Sequence, residues 1–296
     1  MLAEKLSGGA APAVIYVDDV FSTWLYTGNS STQTITNGIN LSAYGGLVWG
    51  KSRSGAYNHE LVDTARGAGN ALRSNQTAAS TTSCDVNSFT TTGFTLNSAG
   101  GGEINTNTVT EVAWTFRKAA KFFDVVTYTG TGVARTVSHS LGSTPGCIIV
   151  KCTTTGATNW RVYHNGLTSS AYTIQLDQTN AQSNQTSIWN STAPTASSFT
   201  VGTDPSVNSL GDQYVAYIFA HNAGGFGLTG TDNVISCGSF ISSGGVDTIN
   251  LGYEPQWVLY KCATNFSDWR IADTMRGMSI ASNTADRKST RLNSSH

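Results

Sequence analysis

The chain has 296 residues, room for two or three domains of roughly 100 to 150 residues each. Its 17 basic and 18 acidic side chains leave a formal net charge of -1, so there is no broad basic field and a nucleic-acid backbone is not an expected partner. No run approaches the ~18 apolar residues of a membrane-spanning helix, so membrane insertion is not expected either.

Charged residues make up 12% of the chain, against roughly 25% in ordinary soluble domains. Gly, Ser, Thr and Asn fill the polar share, a balance that suits pleated strands joined by many turns. Cys84, Cys147, Cys152, Cys237 and Cys262 are odd in number and contain no CxxC pair. They read as free, mostly buried thiols rather than a disulfide framework or a zinc site.

In chain order, residues 1–19 form a lead-in in which Gly8, Gly9 and Pro12 discourage regular structure before a possible strand at 14–17. The apolar run before Asp18 and Asp19 is too short for a secretory signal. A first repeat follows over 20–121. It contains the period-2 pattern Thr34, Ile35, Thr36, a hairpin over 46–63, a short helical turn within 61–72, and strands at 89–96 and 111–116.

A second repeat over 122–224 has Thr136, Val137, Ser138, a hairpin over 146–164, and strands at 198–201 and 214–219. Residues 225–235 are Gly-rich and read as a linker. A partial third repeat over 236–286 keeps Asp247, Thr248, Ile249 and a hairpin over 256–273. The basic stretch 287–296 breaks the pattern and is expected to be non-native, with the third repeat truncated and a strand edge left unpaired.

The hairpin is the organising element. GLVWGKSRSGAYNHELVD (46–63), GCIIVKCTTTGATNWRVYH (146–164) and QWVLYKCATNFSDWRIAD (256–273) share an apolar strand ending in Lys51, Lys151 or Lys261, a polar turn and a second strand. EVAWTF (111–116) and YVAYIF (214–219) are apolar on both faces, as a central strand of a packed sandwich would be. The predicted fold is all-β: tandem antiparallel β-sandwich repeats of jelly-roll or lectin-like type, stacked along an extended axis.

The sharpest polar signature is Asp63, Thr64, Ala65, Arg66, Gly67, repeated as Asp273, Thr274, Met275, Arg276, Gly277, with His164 at the aspartate position of the second copy. An acid that becomes His while the scaffold stays the same is not behaving as a catalyst. The expectation is a turn in which Asp63 pairs with Arg66, and Asp273 with Arg276, at i,i+3, with glycine supplying positive φ.

Trp49, Trp114, Trp160, Trp257 and Trp269 read as core residues from their strand positions. Trp189, in a polar loop with Asn184 and Asn190, is the candidate for an exposed stacking surface, and Tyr163, His164 and Asn165 at a strand end are candidates for a loop site. Glycan hydrolysis needs two carboxylates roughly 5 to 9.5 Å apart, and the acids of the second repeat have no counterparts at matching positions. No HxxxH, HExxH, DxDxDG, GxGxxG or P-loop pattern occurs, so no metal or cofactor is expected. Asp232 and Asn233 suit a capped turn better than a calcium site.

FFDVVTYTG (122–130), HSLGSTPGCIIVK (139–151), WRVYH (160–164), SIWNSTAPT (187–195), YVAYIFAH (214–221), DTARG (63–67) and GTDNVISCGSF (230–240) together resemble a repeated domain of unknown function found in large structural proteins of marine tailed bacteriophages. That resemblance brings no catalytic residues with it. It implies a non-enzymatic virion component, a tail fibre or tail-associated adhesin, made in the host bacterial cytoplasm. The expected partners are further copies of itself in a homo-oligomer, other virion proteins and a host cell-surface glycan. The alternatives are an architectural spacer or capsid-decoration protein without a ligand and, third, a polysaccharide depolymerase.

Overall fold

The computed structural model describes residues 14–97 and 102–278. Seven strands form the first copy: β1 (Phe21–Thr27), β2 (Gln33–Thr36), β3 (Gly46–Ser52), β4 (Glu60–Asp63), β5 (Val86–Phe89), β6 (Gly93–Leu96) and β7 (Thr110–Arg117). One helical turn, α1 (Leu41–Tyr44), precedes β3. The strands make a four-stranded sheet ordered β1-β7-β3-β4 and a three-stranded sheet ordered β2-β6-β5.

The second copy has β8 (Phe123–Thr129), β9 (Arg135–Ser138), β10 (Pro145–Cys152), β11 (Arg161–His164), β12 (Tyr172–Gln175), β13 (Ser183–Asn184), β14 (Ser198–Val201) and β15 (Gln213–Ala220). The one-turn helices α2 (Thr186–Trp189) and α3 (Pro205–Asn208) flank β14. Its large sheet runs β13-β12-β11-β10-β15-β8, and β9 pairs with β14. The inner order β8-β15-β10-β11 repeats β1-β7-β3-β4 strand for strand. In the third copy, β16 (Trp257–Tyr260) and β17 (Arg270–Asp273) form the same hairpin. All pairings are antiparallel.

Strand alternation explains how the layers pack, because successive side chains point to opposite faces. In β7, Val112, Trp114 and Phe116 point into one core, while Ala113 points into another shared with Ile35, Phe94 and Leu96 of the small sheet. In β15, Val215, Tyr217 and Phe219 enter that same first core, and Tyr214, Ala216 and Ile218 face Val137, Phe199 and Val201. Each large sheet is thus one layer of a sandwich on its outer face.

The inner faces correct the expectation of stacking along an extended axis. Both large sheets and the third hairpin turn toward one shared core, where Phe116 packs on Phe219 (ring centroids 5.5 Å apart) and Trp257 packs on Phe116 (5.4 Å) and Trp49 (6.4 Å). The third hairpin also donates Trp269 Nε1 to Gln175 O at 2.7 Å. Each copy therefore touches both others. A sheet apolar on both faces needs two partners, and neighbours on a line would cover only one.

Local expectations also change. The 61–72 segment is not helical: Leu61 and Leu72 exchange backbone hydrogen bonds of 2.8 and 3.0 Å, and Gly67 and Gly69 have positive φ, which breaks a helix. Val14 to Tyr16 form no strand, Ile15 O accepting Gly227 N at 2.9 Å, and Val17–Asp19 is a 3-10 turn, with Asp19 Oδ2 accepting Tyr16 N. Asp247, Thr248 and Ile249 form no strand. The Gly-rich 225–235 segment is a packed turn: Phe226 is buried against Phe122 and bridges to Asp232, and Asn233 Oδ1 accepts Gly224 N. The sequence reading of 287–296 lies outside the described residues.

Candidate functional site

The two Asp-Thr-x-Arg-Gly turns fold alike. Arg66 N donates to Asp63 Oδ1 at 2.9 Å and its Nε to Oδ2 at 2.6 Å; Arg276 N and Nε meet Asp273 Oδ1 and Oδ2 at 2.9 and 2.5 Å. Gly67 and Gly277 follow at φ +87° and +89°, a conformation that glycine takes without steric cost. Both carboxylates are buried.

What sequence reasoning missed is the third partner. Tyr217 on β15 donates its hydroxyl to Asp63 Oδ2 at 2.8 Å, and Trp114 on β7 donates Nε1 to Asp273 Oδ2 at 3.0 Å. Trp114 and Tyr217 are the fourth residues of EVAWTF and YVAYIF. The same strand position in one copy therefore closes the aspartate turn of another, first copy by second and third copy by first. The recurrence of both motifs was visible in the sequence; that they meet was not.

The lysines and the second-strand tryptophans are joints of the same kind. Each lysine donates to a carbonyl in its own hairpin turn: Lys51 to Tyr57 O and Lys151 to Thr158 O, both at 2.8 Å, and Lys261 to Ser267 O. Lys151 also reaches Thr77 O in the first copy at 3.0 Å, and Lys261 reaches Thr179 O in the second at 2.9 Å. Trp160 Nε1 donates to Arg73 O and Gln76 O, both at 3.1 Å. A strap of backbone from one copy, 73–80 or 175–182, thus lies across the hairpin of the next. Burial lowers the Lys151 pKa to about 8, the direction expected when an ammonium leaves water.

The loop candidates fare differently. Trp189 is not an exposed stacking surface: α2 places Ile188 and Trp189 in the outer core of the second copy, the indole is 1% exposed, and it packs edge-on against Tyr163 at 6.1 Å. Asn190 at φ +51° ends the turn; the polar residues around Trp189 are its rim, and the ring fills the sandwich end. Tyr163 is buried as well. His164 is half-buried, its Nδ1 accepts Gly166 N at 2.9 Å, and desolvation lowers its pKa to about 4. Asn165 is exposed, with Nδ2 bonded to Cys237 O at 3.2 Å. The structure brings Tyr163 and Trp189 together inside the sandwich and leaves Asn165 at the rim.

The outer layer of the first copy holds two buried acids that sequence reading did not single out. Glu60 and Glu111 are fully buried, and desolvation raises both to about 8. Glu60 Oε1 accepts Asp85 N at 2.8 Å, while neither Glu111 oxygen has a hydrogen-bond partner among the described residues. A glutamate opening an apolar strand run, Glu60 before Leu61 and Val62 and Glu111 before Val112 and Ala113, was the available signal. The second copy has Arg161 and Tyr214 at the equivalent positions.

Among the described residues no group of three or more His, Cys, Asp or Glu is placed to hold a metal ion, and no helix is long and apolar enough to cross a membrane. All five cysteines are free; Cys84, Cys152 and Cys237 are buried, Cys147 is half-buried and Cys262 is exposed. A cavity of about 430 Å³ lies between the two straps, lined by Gln76, Thr77, Asp177 and Gln178. A second, of about 720 Å³, opens beside Lys51 and His59.

Comparison with protein-family models matches residues 17–296 to a domain of unknown function, DUF7483. The match spans all three sequence copies and includes 287–296. No curated protein and no solved structure matches the chain.

Proposed function

The chain belongs to the DUF7483 family, and from that premise we propose that it is a non-catalytic structural module of a tailed-phage virion, a tail-fibre or tail-associated component. One observation carries the structural half. The recurring polar residues Asp63, Asp273, Lys151 and Lys261 all bond across boundaries between copies, so the chain's repeated chemistry serves assembly. The virion half is supported by the sequence resemblance alone. Further copies in a homo-oligomer and neighbouring virion proteins are the partners this reading calls for.

Recognition of a host-surface glycan would fall to rim loops such as that of Asn165, and multivalent display would raise weak single-site binding by orders of magnitude. The burial of Trp189 favours the second reading, an architectural spacer or capsid-decoration protein without a ligand. Mass spectrometry of purified virions tests the structural reading; absence of the chain from particles would remove it. Adsorption of the protein to host cells separates the two roles: Asn165→Ala lowers adsorption of an adhesin and leaves a spacer's null result unchanged. Trp189→Ala cannot serve as that probe, because removing a buried indole costs about 3–5 kcal/mol of stability.

A further inference from the structure

The three hairpins share one register, but only two of them have a central strand beside them. Gln256 O accepts Thr274 N at 3.0 Å, as Gly46 O accepts Thr64 N at 3.0 Å and Gly146 O accepts Asn165 N at 2.8 Å. Antiparallel bonding alternates along a strand, so β17 uses Gln256, Val258 and Tyr260 and leaves Trp257, Leu259 and Lys261 directed to the opposite edge. In β3 and β10 that edge belongs to the central strand: β7 lies between β1 and β3, and β15 between β8 and β10. Among the described residues β16 has no neighbour except β17.

Exposure follows the unpaired edge on both of its sides. Tyr260 is 44% exposed and Cys262 is exposed, whereas Val150 and Cys152 at the same hairpin positions are fully buried. The stretch ahead of the hairpin behaves likewise. Its counterparts β1 and β8 pair along their whole length with β7 and β15, but 233–250 forms no strand and leaves Ile241 96% and Val246 98% exposed. A single central strand would give both segments a neighbour.

We propose that the β16 edge is a docking site for a partner strand donated in trans, antiparallel to β16 and apolar on both faces, which binds by β-augmentation. Register defines its chemistry. Phe116 and Phe219 stand opposite Leu47 and Cys147, Trp114 and Tyr217 opposite Trp49 and Ile149, and Glu111 and Tyr214 opposite Ser52 and Cys152. The donated strand therefore sets a Phe opposite Trp257, an aromatic ring opposite Leu259 and its first residue opposite Cys262. A second copy of this chain has no such strand to give. Its β7 and β15 are each paired on both sides, and no run of this pattern occurs in 1–13, 98–101 or 279–296. The donor is thus a different polypeptide. This inference does not rest on the virion reading.

The peptide TEVAWTFR, which is the sequence of β7, tests this with the full chain. It is expected to bind saturably, to slow alkylation of Cys262 by at least about tenfold and to slow amide exchange at 257, 259 and 261, because covered groups must open locally before they react. Two control peptides should do neither: a scrambled one, and TEVAWTFR N-methylated on its valine and tryptophan, whose amides face β3 in the intact first copy. No binding, binding that leaves Cys262 as reactive as before, or equal binding by either control overturns the proposal. The chain alone sets the baseline, where Cys262 should alkylate fast at every concentration. Slow alkylation relieved by dilution would assign the edge to a second molecule's β16. Slow alkylation at all concentrations would mean that the chain covers its own edge, and either result overturns the donated strand.

Discussion

The joint between the first and second copies and the joint between the third and first use one motif in two environments. Asp63 and Asp273 are both fully buried and both accept from an aromatic donor. Arg66 is sealed, with 7% of its side chain exposed, and also reaches Leu61 O and Ser80 Oγ; Arg276 is 25% exposed. Recurrence of the motif in sequence therefore says that the turn is repeated and little about its worth. Worth depends on how much water reaches the guanidinium, because an ion pair in solvent contributes little and breaking a buried one costs heavily.

The largest expected effect comes from breaking the sealed pair. Asp63→Ala strands Arg66 in the interior and should cost about 3–5 kcal/mol, whereas Asp273→Ala should cost clearly less because Arg276 can hydrate. Urea unfolding of the two variants measures this, and equal losses would dissolve the distinction between the joints. Next in size, Tyr217→Phe removes one donor from the buried Asp63 carboxylate and should cost about 1–3 kcal/mol. A neutral result would show that the bond between copies adds nothing beyond packing.

Smaller again, Gly67→Ala and Gly277→Ala place a Cβ in the left-handed region and should each cost about 1–2 kcal/mol. A Cβ at either glycine meets no close contact, the nearest being Asn70 Nδ2 at 3.9 Å for Gly67, so the two losses should match even though the arginines differ in exposure. Thermal melts compare them. Unequal losses would tie the backbone of the turn to its burial.

The last test contrasts the outer layers. Glu60 and Glu111 are raised in the folded chain to about 8 from an ordinary 4.5, so the folded state holds protons that the unfolded state releases. The stability tied to those protons is fully present below about pH 4.5 and is lost as pH rises toward 8. His59 and His164 act oppositely: lowered to about 4, they contribute stability above about pH 6.5 that is lost as pH falls through 4. Above pH 6.5 the glutamates dominate, and Glu111→Gln should flatten the decline between pH 6.5 and 8 in chemical-denaturation series. An unchanged slope would assign that decline to Glu60 or to other groups.

Much of the fold was legible because strands write their burial into a period of two. Ser198–Val201 lies where its alternation placed it, and the three hairpins form where the lysine-tipped repeats predicted them. The double-sided apolarity of 111–116 and 214–219 was read as a central strand, which it is, but a strand's pattern says that both faces are covered without saying by what. The closed ring depends on contacts such as Trp114 to Asp273, 159 residues apart, and local periodicity carries no information at that separation. The misplacement of Trp189 has the same origin. A polar neighbourhood in sequence marks a loop, while the indole's destination was decided by Tyr163 and Phe199 across the sandwich. For the buried glutamates, desolvation first and the nearby Asp85 carboxylate second favour the protonated form, and composition is blind to both.

The shared core has a consequence for how the chain is made. On a ribosome adding 5–20 residues per second, about 5–20 s separate the emergence of one copy from that of the next. During that wait Trp49, Trp114 and Phe116 have no partner sheet, and they are the side chains that the later copies cover. The copies cannot mature one by one as beads would. Synthesis must hold an apolar sheet face in reserve until the third hairpin arrives, which makes the nascent first copy the natural client of a chaperone and the natural point of aggregation if elongation stalls.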